Sequence, residues 1–215
     1  MNAMRGLRPR SHNVPALAGR SRDFIAVDDS GDFTYHRSEQ DLLTAFEYVE
    51  EARTVLDRDG TDYRLALDPN RHIVLGPALG PVEFHWLRQA WQVAQKMHIE
   101  EHRIRRFFAD TGDQLLRDLF ETLVLEHGAG SATDSWTVDI ESTPTHLDNL
   151  EEVDRRLSGP VRLEQARVED PFGRTYRPVR HRNHWYLPAA AGFIVYIEIP
   201  PHNGARRAPG RRAAA

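Results

Sequence analysis

The sequence that decides the fold lies in the middle of the chain and reads PVEFHWLRQAWQVAQKMHIEEHRIRRFFADTGDQLLRDLFETLVLEHG over residues 81–128. Apolar residues recur there every three or four positions, which is the spacing of helices with a buried face. Proline suits the first position of a helix, and glycine suits the position just after its end. We predict a largely buried helix that begins near Pro81, a second helical piece over 99–108, and a third helix that begins near Thr111 and ends at Gly128.

Short strand-like segments flank this helical stretch on both sides. Residues 23–80 and 134–200 contain runs of β-branched, aromatic and aliphatic residues, separated by turns that contain Asp, Asn, Pro or Gly. An order of β-rich, α-rich and β-rich regions favours segregated strands and helices over a parallel doubly wound sheet, in which the two alternate. We therefore predict a single compact α+β domain over 23–200, with antiparallel β-meanders from both ends packed on a central group of helices.

One sequence pattern occurs twice, at a constant offset of 113 residues. It reads VLDRDGTDYR at 55–64 and VEDPFGRTYR at 168–177, so the valine, aspartate, glycine, tyrosine and arginine coincide. Each copy predicts a hairpin, because aspartate and glycine suit the loop between two strands. Two explanations stay open: duplication of a whole meander, or convergence on the residues that such a loop requires.

Charge is distributed unevenly along the chain. The net charge is −4, but residues 1–20 and 203–215 carry four arginines each and no acid. Twenty basic residues therefore remain in 21–202 against all 32 acidic ones, which gives that body a net charge of −12. We predict disordered basic tails over 1–22 and 201–215, which are functional or, at the N-terminus, the result of an early start codon. The acidic body disfavours nucleic acid as a partner.

The composition excludes several classes of site. The chain has no cysteine, which excludes disulfides, thiolate zinc sites and a cysteine nucleophile. No apolar run approaches the roughly 18 residues of a membrane helix, and residues 14–19 are too short and polar for a signal sequence. We therefore expect a cytoplasmic protein with no membrane partner. Lys96 is the only lysine, and such a preference for arginine indicates a bacterial genome rich in G and C.

The segment His98-Ile99-Glu100-Glu101-His102 fits the pattern H-x-x-E-H and resembles the inverted zinc-protease motif. In that motif two histidines one helical turn apart bind zinc, and the glutamate activates water. The resemblance implies a metal-dependent hydrolase in which His98 and His102 bind zinc, Glu101 is catalytic, and Glu121 or Glu126 is the third ligand. The alternative is a charged, solvated helix face without a metal.

A basic segment near the C-terminus is the second candidate site. Residues 174–184 read RTYRPVRHRNH and are followed by an aromatic pair. Cations beside aromatic rings at a sheet edge suit single-stranded nucleic acid or a small anionic ligand. The alternative is that a predicted acidic helix over 146–157 neutralises this strand within the molecule. The candidate binding residues are Arg174, Arg177, Arg180, Arg182 and Trp185.

No complete catalytic set is present in the sequence, since it lacks a nucleophile elbow, a Walker loop and a dinucleotide-binding fingerprint. We therefore predict a non-enzymatic protein-interaction or ligand-binding protein without a cofactor. Its acidic body would face a basic protein partner or a second copy of the chain. The alternatives are the zinc-dependent hydrolase and a protein that binds nucleic acid or an anionic ligand through 174–184.

Overall fold

The computed structural model of the protein describes residues 22–107, 109–128, 135–159, 161–181 and 192–200. Of the tails predicted over 1–22 and 201–215, only Arg22 lies within these ranges, and its ion pair with Asp57 places it in the folded body. The helices are α1 (Glu39–Thr44), α2 (Phe84–Met97), α3 (Gly112–Glu126) and α4 (Leu150–Leu157), with a 3₁₀ helix over Leu163–Gln165. The strands are β1 (Phe24–Asp28), β2 (Phe33–His36), β3 (Ala52–Asp57), β4 (Thr61–Tyr63), β5 (Leu65–Leu67), β6 (Ile73–Leu75), β7 (Gly80–Pro81), β8 (Ile104–Arg105), β9 (Trp136–Ile140), β10 (Thr143–Leu147), β11 (Ala166–Glu169), β12 (Thr175–His181) and β13 (Phe193–Glu198).

The strands form two larger sheets and a separate hairpin of β5 and β6. The first sheet has the order β2-β1-β3-β4-β7, and the second has the order β10-β9-β11-β12-β13-β8. Their pairings are antiparallel except for that of β8 with β13. The predicted α+β class is therefore confirmed. Among the described residues, no helix has the length and apolar character needed to cross a membrane.

The two larger sheets are built from the same unit, over 24–81 and 136–198. In each unit the second strand pairs with the first, the third pairs with the first from the other side, and a helix lies between the second and third strands. The helices begin alike: Ser38 and Asn149 each accept the backbone N–H three residues on, from Asp41 and Glu152. These two acids in turn accept the N–H of the residue before the cap, which completes a capping box in both units.

The repeated pattern has the same hydrogen bonds in both units. Its aspartate accepts two N–H groups of the loop through one carboxylate oxygen and the tyrosine hydroxyl through the other. The hydroxyl distances are 3.1 Å from Tyr63 to Asp57 and 2.7 Å from Tyr176 to Asp170. A shared strand order, helix cap and loop network favour duplication of the unit over convergence of one hairpin loop.

The glycine of the repeated pattern faces different surroundings in the two units. Gly60 and Gly173 have φ angles of +75° and +80°, where a side chain is strained. A Cβ on Gly60 would lie 2.5 Å from Leu116 Cδ1 of α3, whereas nothing lies within 4 Å of one on Gly173. The first loop therefore packs tightly on α3.

Alanine at these two glycines should separate backbone strain from packing. We expect Gly173→Ala to lower the free energy of unfolding by about 1 kcal/mol, because of its positive φ. Gly60→Ala should cost about 1–2 kcal/mol more, since buried Leu116 must also move. Urea denaturation of both variants measures the difference, and equal losses would contradict the close packing of this loop on α3.

The two sheets differ in what covers one of their faces. In the first sheet, that face packs against α2 and α3. In the second sheet, none of the residues at the matching positions is buried. The covered residues are Ile25, Val27, Phe33, Tyr35 and Leu56. The matching positions are Thr137, Asp139, Pro144, His146 and Glu169. The second unit therefore presents a polar sheet face where the first carries two helices.

The other face of the second sheet is apolar and packs on α4. Trp136, Val138 and Val168 form this core together with Val153 of α4 and Leu125 of α3. Because α3 contributes to the cores of both units, it holds the two sheets together.

Three predictions about the helices are wrong. No helix covers 99–108: α2 ends at Met97, and Ile104 joins the second sheet in β8, because Glu126 and β13 bind its backbone. The helix that begins near Pro81 is not largely buried, since α2 buries only Leu87 and Ala94, and Met97 is 73% exposed. The helix predicted over 146–157 is shorter, because residues up to Leu147 pair with β9 as β10.

Candidate functional site

A groove opens where β12 runs beyond the beginning of β11. The two strands pair only through Val168 with Tyr176 and Glu169 with Thr175, while β12 continues to His181. The 3₁₀ helix lies beside the part of β12 that extends past β11, and a groove of about 760 Å³ opens there. Four of its lining residues are arginines, and we call it the arginine groove: Arg162, Arg167, Arg177 and Arg180.

The four arginines have no carboxylate partner within the described part of the chain. The ion pairs found there use other arginines, such as Arg58 with Asp23 and Arg103 with Asp154. Among the described residues, Glu164 is the one acid that lines the groove. Arg167 Nη1 instead donates to the carbonyl of Ala166 at 2.9 Å. The groove therefore concentrates positive charge on a body of negative net charge.

Arg167 and Arg177 lie on the same face of the sheet, one residue beyond the last registered pair of β11 and β12. On its other side Arg167 pairs with Asp139 of β9, so an acid flanks it there. Arg177 pairs with Ile197 of β13, which carries no charge.

The backbone of β12 limits what can bind along its free edge. Ile199 N–H donates to the Thr175 carbonyl at 2.8 Å, so residues 175, 177 and 179 direct their backbone groups toward β13. Residues 176, 178 and 180 then direct theirs toward β11 and the groove. Position 178 is proline, which has no N–H to donate, and proline at an edge opposes the addition of another strand.

Only some of the basic residues that were predicted as one site line the groove in the structure. Arg177 and Arg180 line the arginine groove together. Arg174 does not, because it forms ion pairs with Glu198 at 3.0 Å, with Glu121 at 3.5 Å and with Asp118. Arg182 and Trp185 lie outside the described residues. Sequence reasoning missed Arg162 and Arg167.

The acidic helix α4 does not neutralise β12 through any described ion pair. Its Asp154 pairs with Arg103 at 2.5 Å and accepts the Tyr196 hydroxyl at 2.5 Å. Its Glu151 pairs with Arg155 of the same helix at 3.1 Å. The internal partner that the sequence suggested for the basic strand is therefore engaged elsewhere.

The H-x-x-E-H segment does not lie on a helix. His98 is the residue that ends α2, Glu101 is exposed in a turn, and His102 is buried with a side-chain exposure of 3%. His102 Nε2 lies 2.8 Å from Asp32 Oδ1, and its Nδ1 lies 3.1 Å from Glu126 Oε2. The His102 N–H still donates to the His98 carbonyl at 2.9 Å, but the backbone of His98 is not helical. Carboxylates occupy both ring nitrogens of His102, so the two histidines do not form a zinc pair.

The surroundings of His102 make it an internal cation. Burial alone would lower the pKa of His102, but its hydrogen bonds to Asp32 and Glu126 raise that pKa to about 9. The two carboxylates lie on opposite ring nitrogens, so they cannot converge with the ring on one ion. Glu121, the other proposed ligand, binds Arg106 instead. Within the described ranges, no group of three or more His, Asp or Glu residues is arranged to hold a metal ion.

A second cavity, of about 530 Å³, lies beside His102 and is lined by several acids. Two of these, Asp32 and Glu126, are engaged by the imidazole, and Asp41 caps α1. Its acids are therefore largely used within the fold, unlike the arginines of the groove.

Compared with known proteins, the chain matches no family model, no curated protein and no solved structure. Function is therefore inferred from the arrangement of its residues.

Proposed function

We propose that this chain is a non-enzymatic binding protein that takes an anionic ligand in the arginine groove. The observation that supports this is the presence of four arginines in one groove, none in an ion pair within the described residues. A guanidinium group binds phosphate or carboxylate through two parallel N–H donors. The dimensions of the groove also suit a small ligand, since such sites measure roughly 300–1,000 Å³.

The contrast with Arg174 supports a ligand rather than an internal partner. Arg174 lies one residue before β12, yet Asp118 of α3 and Glu198 of β13 neutralise it. An isolated surface arginine is ordinary, but the arginine groove brings four together, and Glu164 is the only acid in its described lining.

The proposal predicts that Arg177 is needed for binding but not for stability. We expect Arg177→Ala to weaken the binding of inorganic tripolyphosphate about ten-fold, the loss of one charge-assisted contact. Without the anion, its thermal midpoint should stay within about 2 °C of that of the unaltered chain, because Arg177 is exposed and forms no described ion pair. Isothermal titration and thermal unfolding of the full chain measure the two quantities.

Arg64→Ala is the matched control, because Arg64 occupies the position of Arg177 in the first unit and is also exposed. Both variants keep the eight arginines of the two tails, so binding by the tails contributes equally. Affinity that falls equally in both variants, or that is unchanged in Arg177→Ala, would contradict the proposal.

A further inference from the structure

We infer that the arginine groove selects a compact anion with at least two separated phosphate or carboxylate groups, and that it selects against nucleic acid and extended peptides. This inference rests on the proposed function and narrows its ligand class. It follows from the placement of the arginines around the edge of β12, from the side chains between them, and from the free edge itself.

The arginines approach the groove from both faces of the sheet. Side chains three residues apart on a strand point to opposite faces, so Arg177 and Arg180 reach the groove around the two sides of β12. Arg167 lies on the same face as Arg177 by the register of the two strands. An anion with two or more charged groups can contact arginines on both sides of β12 at once, which favours it over a single phosphate.

The surface between the arginines is aliphatic. Val161, Leu163, Pro178 and Val179 complete the described lining together with Glu164, and this lining contains no aromatic ring. Proteins that bind single-stranded nucleic acid gain about 1–3 kcal/mol per base from stacking on aromatic rings. The described groove offers no such platform, and the net charge of −12 over 21–202 repels a long polyanion.

The free edge of β12 disfavours the remaining kind of extended ligand. A peptide that added a strand would need donors and acceptors along residues 176, 178 and 180. Pro178 removes the central donor. Recognition must therefore come from arginine side chains. This suits a compact ligand with two or more charged groups within the span of the groove.

Four probes separate these possibilities by isothermal titration of the full chain: inorganic orthophosphate, inorganic tripolyphosphate, citrate, and an oligothymidylate of about twelve nucleotides. We expect tripolyphosphate or citrate to bind at least about ten-fold more tightly than orthophosphate, the gain of one further charge-assisted contact. Whichever of the two binds more tightly identifies phosphate or carboxylate as the recognised group. Arg177→Ala and Arg180→Ala should each remove about ten-fold of that affinity, and Arg64→Ala should leave it unchanged.

The contrary outcomes distinguish this inference from the proposed function. Orthophosphate that binds as tightly as tripolyphosphate and citrate would overturn the requirement for two anionic groups. Oligothymidylate that binds more tightly than both, and loses affinity in Arg177→Ala, would also overturn it while anion binding in the groove stands. If no probe binds in a manner that depends on Arg177 and Arg180, the proposed function itself fails.

Discussion

Replacing Arg106 with methionine is expected to lower the free energy of unfolding by about 3–5 kcal/mol, the usual cost of removing one partner of a buried ion pair. Arg106 has a side-chain exposure of 5% and lies 3.0 Å from Asp170, whose side chain is fully buried. Its Nε donates to the Tyr176 hydroxyl at 3.1 Å, and its Nη1 pairs with Glu121 of α3. Methionine keeps much of the packing but leaves buried Asp170 without its cation, while Glu121 keeps only Arg174 at 3.5 Å.

The first unit provides the matched control for this prediction. Arg22 binds Asp57 and the Tyr63 hydroxyl as Arg106 binds Asp170 and its tyrosine, but the Arg22 side chain is 49% exposed. The Asp57 side chain is buried, but its partner is half exposed, so Arg22→Met should cost about 1–2 kcal/mol, less than Arg106→Met. Urea denaturation compares the two variants. Similar losses in both variants would show that burial of Arg106 does not determine how much it contributes to the free energy of unfolding.

The second large effect concerns pH, because folding raises the pKa of His102 to about 9. A histidine in the unfolded chain has a pKa near 6.5, so the folded state binds the extra proton between these two values. The stabilisation is complete below about pH 6.5 and is lost as pH rises through 9. A shift of this size corresponds to about 3 kcal/mol. We therefore expect the free energy of unfolding to fall by about that amount between pH 6.5 and 9.5.

His102→Gln should remove this dependence on pH, because glutamine does not titrate. Glutamine cannot neutralise Asp32 and Glu126, so the variant should also be less stable at pH 6.5 by about 3 kcal/mol. His36 does not interfere in this window, since burial lowers its pKa and its contribution is complete above pH 6.5. Unfolding free energies from urea melts at several pH values test this. A slope in the variant equal to that of the unaltered chain would assign the titration to another group.

Local patterns predicted the elements that depend on neighbouring residues in the chain. Thr111 was the predicted start of the third helix, and its hydroxyl accepts the Gln114 N–H there. The segment around Ile104 could not be predicted this way, because it pairs with β13 at the far end of the sequence. Its mixture of charged and apolar residues fits a helix equally well, and the distant strand decides the outcome.

The residues of the candidate site were likewise only partly predictable from the sequence. The basic composition of β12 pointed to Arg177 and Arg180, which do line a common groove. Arg162 and Arg167 could not be added from the sequence, because the groove exists only where β12 extends past the beginning of β11. That difference in length depends on where the chain passes from the 3₁₀ helix into β11. The motif around His98 failed for a similar reason, since its helical spacing was assumed from five residues alone.

The central claim is that anions bind in the arginine groove, and NMR of the arginine Nε–Hε groups tests it most directly. Titration of the full ¹⁵N-labelled chain with tripolyphosphate should shift the signals of Arg162, Arg167, Arg177 and Arg180 with one common dissociation constant. The signals of Arg64 and buried Arg106 should stay in place, with each signal assigned through its alanine or methionine variant. No shift in the four groove signals, or shifts confined to arginines elsewhere in the chain, would contradict the account.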